Sequence, residues 1–380
     1  MVVASALSFP QGFTQALDEL LIQSCEEVQL SNARYDLAVA RYGTLNRLLE
    51  NTESPFRYFQ PLIYPQGSMA LGTTVKPIDG PHDLDFVLQL SRDHHVVDPM
   101  ALIHTLYDFL RQHSIYGPMT SLKNRCVSIE YADEFHADVL PACRDSAGSG
   151  SCIKIPDRTL KGWSESNPLG YIEWFKQRSR IVLGGRVLGK AVPIPPQEAV
   201  GEKNTLQLVV QLIKRWRDLC YADDRQLAPR SVLLTTVAVL AYRGESSVSE
   251  ALTSVLNGVV GLIEASRLAG EQHLRVLNPS HLAEDLSERW DSNQEAYQAF
   301  EAGIRDFRNR WLGLMAQNGN INAELEDLFG EPVTAALRKR AKKVQEDRMA
   351  GKLGVTRAGG VMSGAGSVVR MVPNTFHGAK

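Results

Sequence analysis

A chain of 380 residues is long enough for two packed lobes sharing a cleft. Its 44% hydrophobic and 22% charged content is that of an ordinary globular protein. A formal charge of −2 excludes the strongly basic surface expected of a protein that tracks a long polyanion, whereas a small anionic substrate needs only a local cluster of Lys and Arg.

In chain order, residues 1–7 are apolar but lack a basic region and soon meet Pro10, so they do not read as a signal peptide. Residues 13–49 carry apolar side chains at helical spacing, among them Leu37, Val39 and Leu48, and are expected to form one or two long helices. Residues 56–63 are aromatic and β-branched and read as a strand. The turn Gln66-Gly67-Ser68 follows, where a strand passes into a helix and free backbone N–H groups would favour a phosphate. A strand over 84–90 comes next, then a helix over 99–113 with Leu102, Ile103, Leu106, Phe109 and Leu110 on one side. Strands fit 125–131 and 135–140, separated by the turn-like Ala132-Asp133-Glu134.

Past a loop rich in Gly, Ser and Pro at 144–170, helical periodicity dominates: 169–180, 205–219, 229–242, 248–268, 293–314 and 333–349. Val192-Pro193-Ile194-Pro195-Pro196 reads as a linker. The tail from about residue 351 is Gly-rich and basic with no acid, a composition expected to stay mobile. The fold class is therefore α+β. Residues 1–200 hold N-terminal helices and a mixed α/β lobe, 201–350 a helical lobe, and 351–380 a flexible tail.

No stretch approaches the uninterrupted apolar length of a bilayer span, so no membrane association is expected. The five scattered cysteines, Cys25, Cys126, Cys143, Cys152 and Cys220, include no C-x-x-C pair. They read as reduced thiols of a cytoplasmic protein, not as a structural zinc site.

The chemistry is carried by Asp83-Leu84-Asp85. Residues i and i+2 of a strand share a face, so two carboxylates converge on one point and suit a hard divalent cation such as Mg²⁺. A two-metal site needs a third carboxylate, and Asp138, an acid in the otherwise apolar strand Phe135-His136-Ala137-Asp138-Val139-Leu140, is the candidate. Alone, Asp138 would read as a solvent-facing or turn-capping acid. Beside Gly67-Ser68 and Asp-x-Asp it completes a phosphoryl-transfer centre.

These elements resemble the active-site pattern of the polymerase-beta-like nucleotidyltransferases: Gly-Ser, then Asp-x-Asp, then a distant third Asp. The longer wording narrows it. Tyr64-Pro65-Gln66-Gly67-Ser68, Gly72-Thr73-Thr74-Val75-Lys76-Pro77, His136-Ala137-Asp138-Val139-Leu140-Pro141 and Ser166-Asn167-Pro168-Leu169-Gly170 are similar to the bacterial cGAS/DncV-like nucleotidyltransferases (CD-NTases). Asn278-Pro279 and Trp290 extend the likeness, which runs from about residue 55 to 315.

The resemblance implies a bilobal enzyme that joins ATP and/or GTP into a cyclic oligonucleotide, with a purine cyclic dinucleotide favoured, and releases pyrophosphate. The product would activate a downstream effector in antiphage defence. Two Mg²⁺ ions, or Mn²⁺, would bind Asp83, Asp85 and Asp138, while Gln66, Gly67 and Ser68 would hold donor phosphates. It further implies Lys214 and Ser231 as phosphate contacts, although Ser231 also suits a helix-start cap after Pro229. Some relatives work with ubiquitin-transfer-like partners acting at the synthase C-terminus, here Thr375-Phe376-His377-Gly378-Ala379-Lys380.

Other residues have plainer readings. Arg215 and Arg217 fit a solvated basic face as well as a phosphate site. His82, His94 and His95 read as loop polarity, Asp79 and Asp93 as loop acids, and Trp163, Trp174 and Phe175 as core. Asn167 either touches an acceptor nucleotide or makes an ordinary turn. The alternative activity is an RNA end-adding or polymerising nucleotidyltransferase. Only the short basic tail offers anything for RNA, and no long nucleic acid is expected as partner.

Overall fold

The computed structural model describes residues 11–132, 135–145, 150–179 and 194–350, with the backbone of 353–355, 361–363 and 369–370. The helical N-terminal region divides into Gln11–Val28 (α1) and Asn32–Glu50 (α2). Ser31 separates them: its hydroxyl accepts from the Arg34 N–H and caps α2.

The expected strand over 56–63 is corrected. Arg57–Phe59 form a 3₁₀ turn, Gln60 takes φ +45°, and only Leu62–Pro65 (β1) extend. A left-handed residue cannot sit inside a strand, so the aromatic run is broken there. Gly67–Leu71 (α3) is a single helical turn, and His82–Asp93 (β2) runs on from the following loop. Pro99–Gln112 (α4) starts with Pro99 behind an Asp98 cap on the Ala101 N–H, and buries Leu102, Ile103, Leu106 and Leu110 against the sheet.

The remaining strands of this lobe are Thr120–Leu122 (β3), Val127–Tyr131 (β4), Phe135–Arg144 (β5), Ile153–Asp157 (β6) and Gly162–Ser166 (β7). β6 and β7 replace the loop expected at 144–170, and the turn at Ala132-Asp133-Glu134 lies largely outside the described residues. The sheet order is β1-β2-β5-β4-β3, with β6 on the far end of β5 and β7 on β6. β2 and β5 are parallel and central, while the other pairs are antiparallel. Their register sets Asp85 opposite Asp138 and Asp83 opposite His136.

The helical lobe begins in space with Pro168–Arg178 (α5), then Thr205–Cys220 (α6), Ser231–Ala241 (α7) and Val248–Leu268 (α8). α6 opens with a reciprocal capping box between Asn204 and Gln207, and is buried all round from Leu206 to Trp216 as the lobe's central helix. The hairpin Leu277–Asn278 (β8) and His281–Asp285 (β9) follows. Arg289–Ser292 (α9), Gln294–Met315 (α10), Ile321–Phe329 (α11) and Glu331–Met349 (α12) complete the lobe.

The hydrophobic cores do not follow the division at residue 200. Leu17, Leu20, Leu21 and Cys25 of α1, with Tyr171 and Phe175 of α5, belong to the helical core; α2 packs with the sheet. The apolar faces, not chain order, decide which lobe each helix joins. By length and mean hydropathy alone α8 could cross a bilayer, although Glu250, Asn257 and Glu264 interrupt its apolar run. Its Leu252, Val255, Leu256, Val259 and Ile263 are nevertheless buried among the other helices. The tail contributes short antiparallel strands at Leu353–Val355, Val361–Ser363 and Val369–Arg370. The rest of it, including the terminal six residues read as a partner site, lies outside the described residues.

Candidate active site

A cleft of about 500 Å³ lies between the lobes, a volume suited to small ligands. Its lining includes Gln66, Gly67, Ser68, Asp83 and Asp85 from the sheet side and Lys214 and Ser231 from the helical side. Asp138 joins them through its register position beside Asp85. Residues scattered over 66–231 of the sequence thus meet in one place.

The Gly67 turn is held directly over the acids. The Gln66 N–H donates to the Asp85 carbonyl at 2.9 Å, and Gly67 has φ +59°. A Cβ on Gly67 would stand 2.8 Å from Asp85 Oδ2, closer than side-chain carbons approach. Glycine is required on both counts, by backbone conformation and by space. Ser68 lies at the cleft edge, and its Oγ makes no hydrogen bond to another described residue.

The Asp138 charge opposes the ionisation of both Asp83 and Asp85. Desolvation and then the Asp138 and Asp83 charges push Asp85 up to about 7, against a small opposing pull from Lys214. Asp83 is raised by the same order of causes, desolvation and then Asp138, eased by His136, whose Nδ1 stands 4.0 Å from Asp83 Oδ1. Cys126 is a further neighbour: burial and a hydrogen bond to Asp138 push its thiol pKa up, so it stays a neutral donor. An all-oxygen donor set in which Asp83 and Asp85 are held short of full charge by burial and by Asp138 fits a hard divalent cation, which would relieve that repulsion.

α6 grips the loop between the Gly turn and β2. Gln207 Nε2 donates to the Leu71 carbonyl at 3.0 Å, and Gln211 Nε2 to Thr74 at 2.7 Å. Lys214 Nζ donates to the Thr73 carbonyl at 3.1 Å and bonds its hydroxyl at 3.2 Å. The spacing i, i+4, i+7 keeps all three on one face. Lys214 is 6% exposed, and burial followed by the nearby Arg217 brings its ammonium pKa down to about 7. A phosphate in the cleft would hold it charged.

The structure separates the two arginines that the sequence left equal. Arg215 is buried with Nη2 on the Lys76 carbonyl at 2.9 Å, behind the loop and off the cleft lining. Arg217 lines the cleft, pairs with Asp218 at 2.7 Å and donates from Nη1 to Ser231 Oγ. Ser231 begins α7 without capping it; its hydroxyl is the acceptor for Arg217.

Three other readings change. His82 is not loop polarity but the first residue of β2, 6% exposed, held neutral by burial and by Lys214 with a pKa near 4. Asn167 is a buried cap whose side chain accepts from the Gly170 N–H and donates to the Ser280 carbonyl, so it braces α5. Phe175 is core as expected, and Trp174 packs against that core.

Cleft residues that sequence reasoning missed are Arg125, Arg225, Arg230 and Glu284, and Asn278, quoted there only for the family likeness, lines the cleft beside them. Glu284 accepts from Asn278 Nδ2 at 2.8 Å and Ser166 Oγ at 3.1 Å, tying β9 to β7. Arg125 and Arg230 converge on Glu288 across the lobes. No local motif marks the three arginines or Glu284, because long-range packing alone brings them to the cleft.

Comparison with known proteins agrees with this geometry. A family model described as the Second Messenger Oligonucleotide or Dinucleotide Synthetase domain matches residues 16–179. The c-di-GMP synthase of Roseivirga ehrenbergii is 30% identical over 369 residues, covering 95% of this chain and 97% of that protein. The cyclic dinucleotide synthase CdnG of Bradyrhizobium diazoefficiens is 27% identical, covering 92% of this chain and 89% of that one. The solved structure of that CdnG in complex with GTP has a TM-score of 0.69 at 24% identity, covering 86% of this chain and 99% of that chain. Escherichia coli MS115-1 CdnC with ATP has a TM-score of 0.61 at 17% identity, with 83% and 98% covered.

Proposed function

Because the chain belongs to the bacterial cGAS/DncV-like nucleotidyltransferases and is a cyclic dinucleotide synthase, we propose that its substrate is GTP and its product a cyclic di-guanylate that signals in antiphage defence through a downstream effector. The guanine assignment is supported by the relative of similar length whose name specifies c-di-GMP. The observation that carries the chemistry is the parallel pairing of Asp85 with Asp138 beneath the Gly67 turn.

Two Mg²⁺ ions held by Asp83, Asp85 and Asp138, with Mn²⁺ as a substitute, would make a ribose hydroxyl more acidic and neutralise charge on the departing pyrophosphate. The chain's own residues do the rest. Gly67 lets the backbone come close to the donor phosphates, Ser68 Oγ offers them a free hydroxyl, and Lys214 with Arg217 places positive charge on the helical side. Arg217 orients the Ser231 hydroxyl toward the same face of the cleft.

The hydroxyl oxygen of one nucleotide attacks the α-phosphorus of the other. The bond from that phosphorus to the β-phosphate oxygen breaks, pyrophosphate leaves, and the hydroxyl proton passes to solvent. A second attack within the same cleft closes the ring.

The test offers purified protein each nucleoside triphosphate alone and in mixtures, with Mg²⁺ or Mn²⁺, and identifies phosphatase-resistant products by mass spectrometry. A product containing only guanine from the full mixture supports the reading. A mixed or pyrimidine product removes the guanine assignment, and elongated RNA removes cyclisation.

A further inference from the structure

We propose that a recess at the end of α6 binds inorganic pyrophosphate on its way out of the cleft, a role that rests on the nucleotidyl-transfer reading above. The recess has a volume of about 180 Å³, against about 500 Å³ for the cleft itself. Sites for drug-sized ligands run to roughly 300–1,000 Å³, so the recess suits a small ion and not a second nucleotide. Arg217, Asp218, Arg225 and Arg230 line both spaces, so the two adjoin. Gly67, Ser68, Lys214 and Ser231 are not among the described residues lining the recess. It therefore lies beyond the groups assigned to the donor phosphates.

Its charge selects an anion. Asp218 neutralises Arg217 at 2.7 Å, so the positive surplus is that of Arg225 and Arg230. Arg225 Nη2 stands 3.4 Å from Asp79 Oδ2 of the loop before β2, and Arg230 Nη1 stands 3.0 Å from Glu288 Oε1. The side chains of both pairs are at least 40% exposed, and such pairs contribute little. Either guanidinium can therefore exchange its carboxylate for a phosphate oxygen. Glu288 keeps a partner when Arg230 turns away, because Arg125 Nη1 also reaches it at 3.4 Å. The planar guanidinium fork matches two phosphate oxygens at once and stays charged throughout.

The backbone that carries the two arginines is already fixed. The Gln226 N–H donates to Asp224 Oδ1 at 3.0 Å, and the Leu227 and Ala228 N–H groups donate to the Asp224 and Arg225 carbonyls at 3.2 and 3.3 Å. Arg289 of α9 donates to the Gln226 and Ala228 carbonyls from outside. Tyr221 is held as a wall by its hydroxyl, which donates to the Ala299 carbonyl at 3.1 Å. An incoming anion has to order only the two side chains, which keeps the entropic cost of binding low.

The place of the recess gives it a purpose. Arg217 follows Lys214 by three residues on α6, about 4.5 Å further along the axis. A leaving group that parts from Lys214 thus meets Arg217 next, and Arg225 and Arg230 beyond it. Closing a ring from two triphosphates frees two pyrophosphates in one cleft. The first must clear the carboxylates before the second triphosphate can align there, and a basic recess beside the cleft draws it off.

The test uses full-length protein bearing Asp83→Asn, Asp85→Asn and Asp138→Asn without divalent cations, so that no metal at the carboxylates can hold the ligand. Equilibrium dialysis against labelled pyrophosphate, at about 0.15 M salt to screen loose surface attraction, should find one saturable site per chain. Adding Arg225→Gln together with Arg230→Gln should weaken it about 10- to 100-fold, the range for lost charge-assisted contacts. The paired change to lysine, which keeps the charge and loses the fork, should fall between, and Lys214→Ala should weaken binding less than the glutamine pair. Circular dichroism confirms that each variant is folded. In the otherwise wild-type chain, the glutamine pair should raise the concentration of added pyrophosphate that halves the initial rate. No saturable binding, binding undiminished by the glutamine pair, or a greater loss from Lys214→Ala would overturn the proposal. The dialysis contains no nucleotide, so its result stands apart from whether cyclic di-guanylate is the product.

Discussion

Replacing Gly67 with alanine isolates the geometry on which the site depends. Two effects are built into that position. At φ +59° an L-residue pays about 1–2 kcal/mol for the left-handed conformation. The new methyl would also start 2.8 Å from Asp85 Oδ2, and reaching an ordinary 3.4 Å contact moves that oxygen by 3.4 − 2.8 = 0.6 Å. Since about 1 Å of misplacement can reduce catalysis 10²-fold, kcat should fall about 10- to 100-fold, with a loss of only a few °C in Tm. The comparison is Gly43→Ala in the interior of α2, where a Cβ meets open space. That change should leave kcat intact and stabilise by up to about 1 kcal/mol. Initial rates of pyrophosphate release under saturating GTP, with thermal melts of both variants, provide the assay. A folded Gly67→Ala protein with wild-type kcat would refute the claim that this turn sets the position of Asp85.

Other outcomes follow from the same geometry. Asp85 is held above its unfolded value up to about 7, so the native state binds more protons than the unfolded chain between about pH 4 and 7. Metal-free protein should therefore lose stability as pH rises through that window, and Mg²⁺ or Asp85→Asn should flatten the curve; urea titrations across pH would show a flat wild-type curve if the reasoning fails. Lys214→Ala should reduce kcat/KM about 10- to 100-fold, the range for a lost charge-assisted phosphate contact, and unaltered steady-state kinetics would remove Lys214 from the site. Arg215→Met should do the reverse, costing about 1–3 kcal/mol in denaturant unfolding while KM stays within a few-fold, because its guanidinium serves the Lys76 carbonyl behind the cleft.

The acids were legible in the sequence because their spacing is local. Asp83 and Asp85 share a strand face by periodicity, and Asp138 stood out as the charged residue of an apolar strand. Strongly apolar helices were equally readable: α8 was expected at 248–268 and runs over those residues. β6 and β7 were not, since β7 reads Gly-Trp-Ser-Glu-Ser and its pairing with β6, not hydrophobic alternation, makes it a strand. The roles of Arg215 and Arg217 also lay beyond sequence, because two residues along a helix turn the side chain from the Lys76 loop to the cleft. Glu284 and Arg125 reach the cleft only through contacts between distant segments.

The most direct measurement of the central claim counts pyrophosphate against product from GTP in one reaction. A single cleft that joins and then closes two nucleotides should release two pyrophosphates per phosphatase-resistant cyclic dinucleotide, and none when Asp83 and Asp85 are both replaced by asparagine. One pyrophosphate per linear dinucleotide that accumulates without closing, or turnover that survives the double replacement, would contradict it.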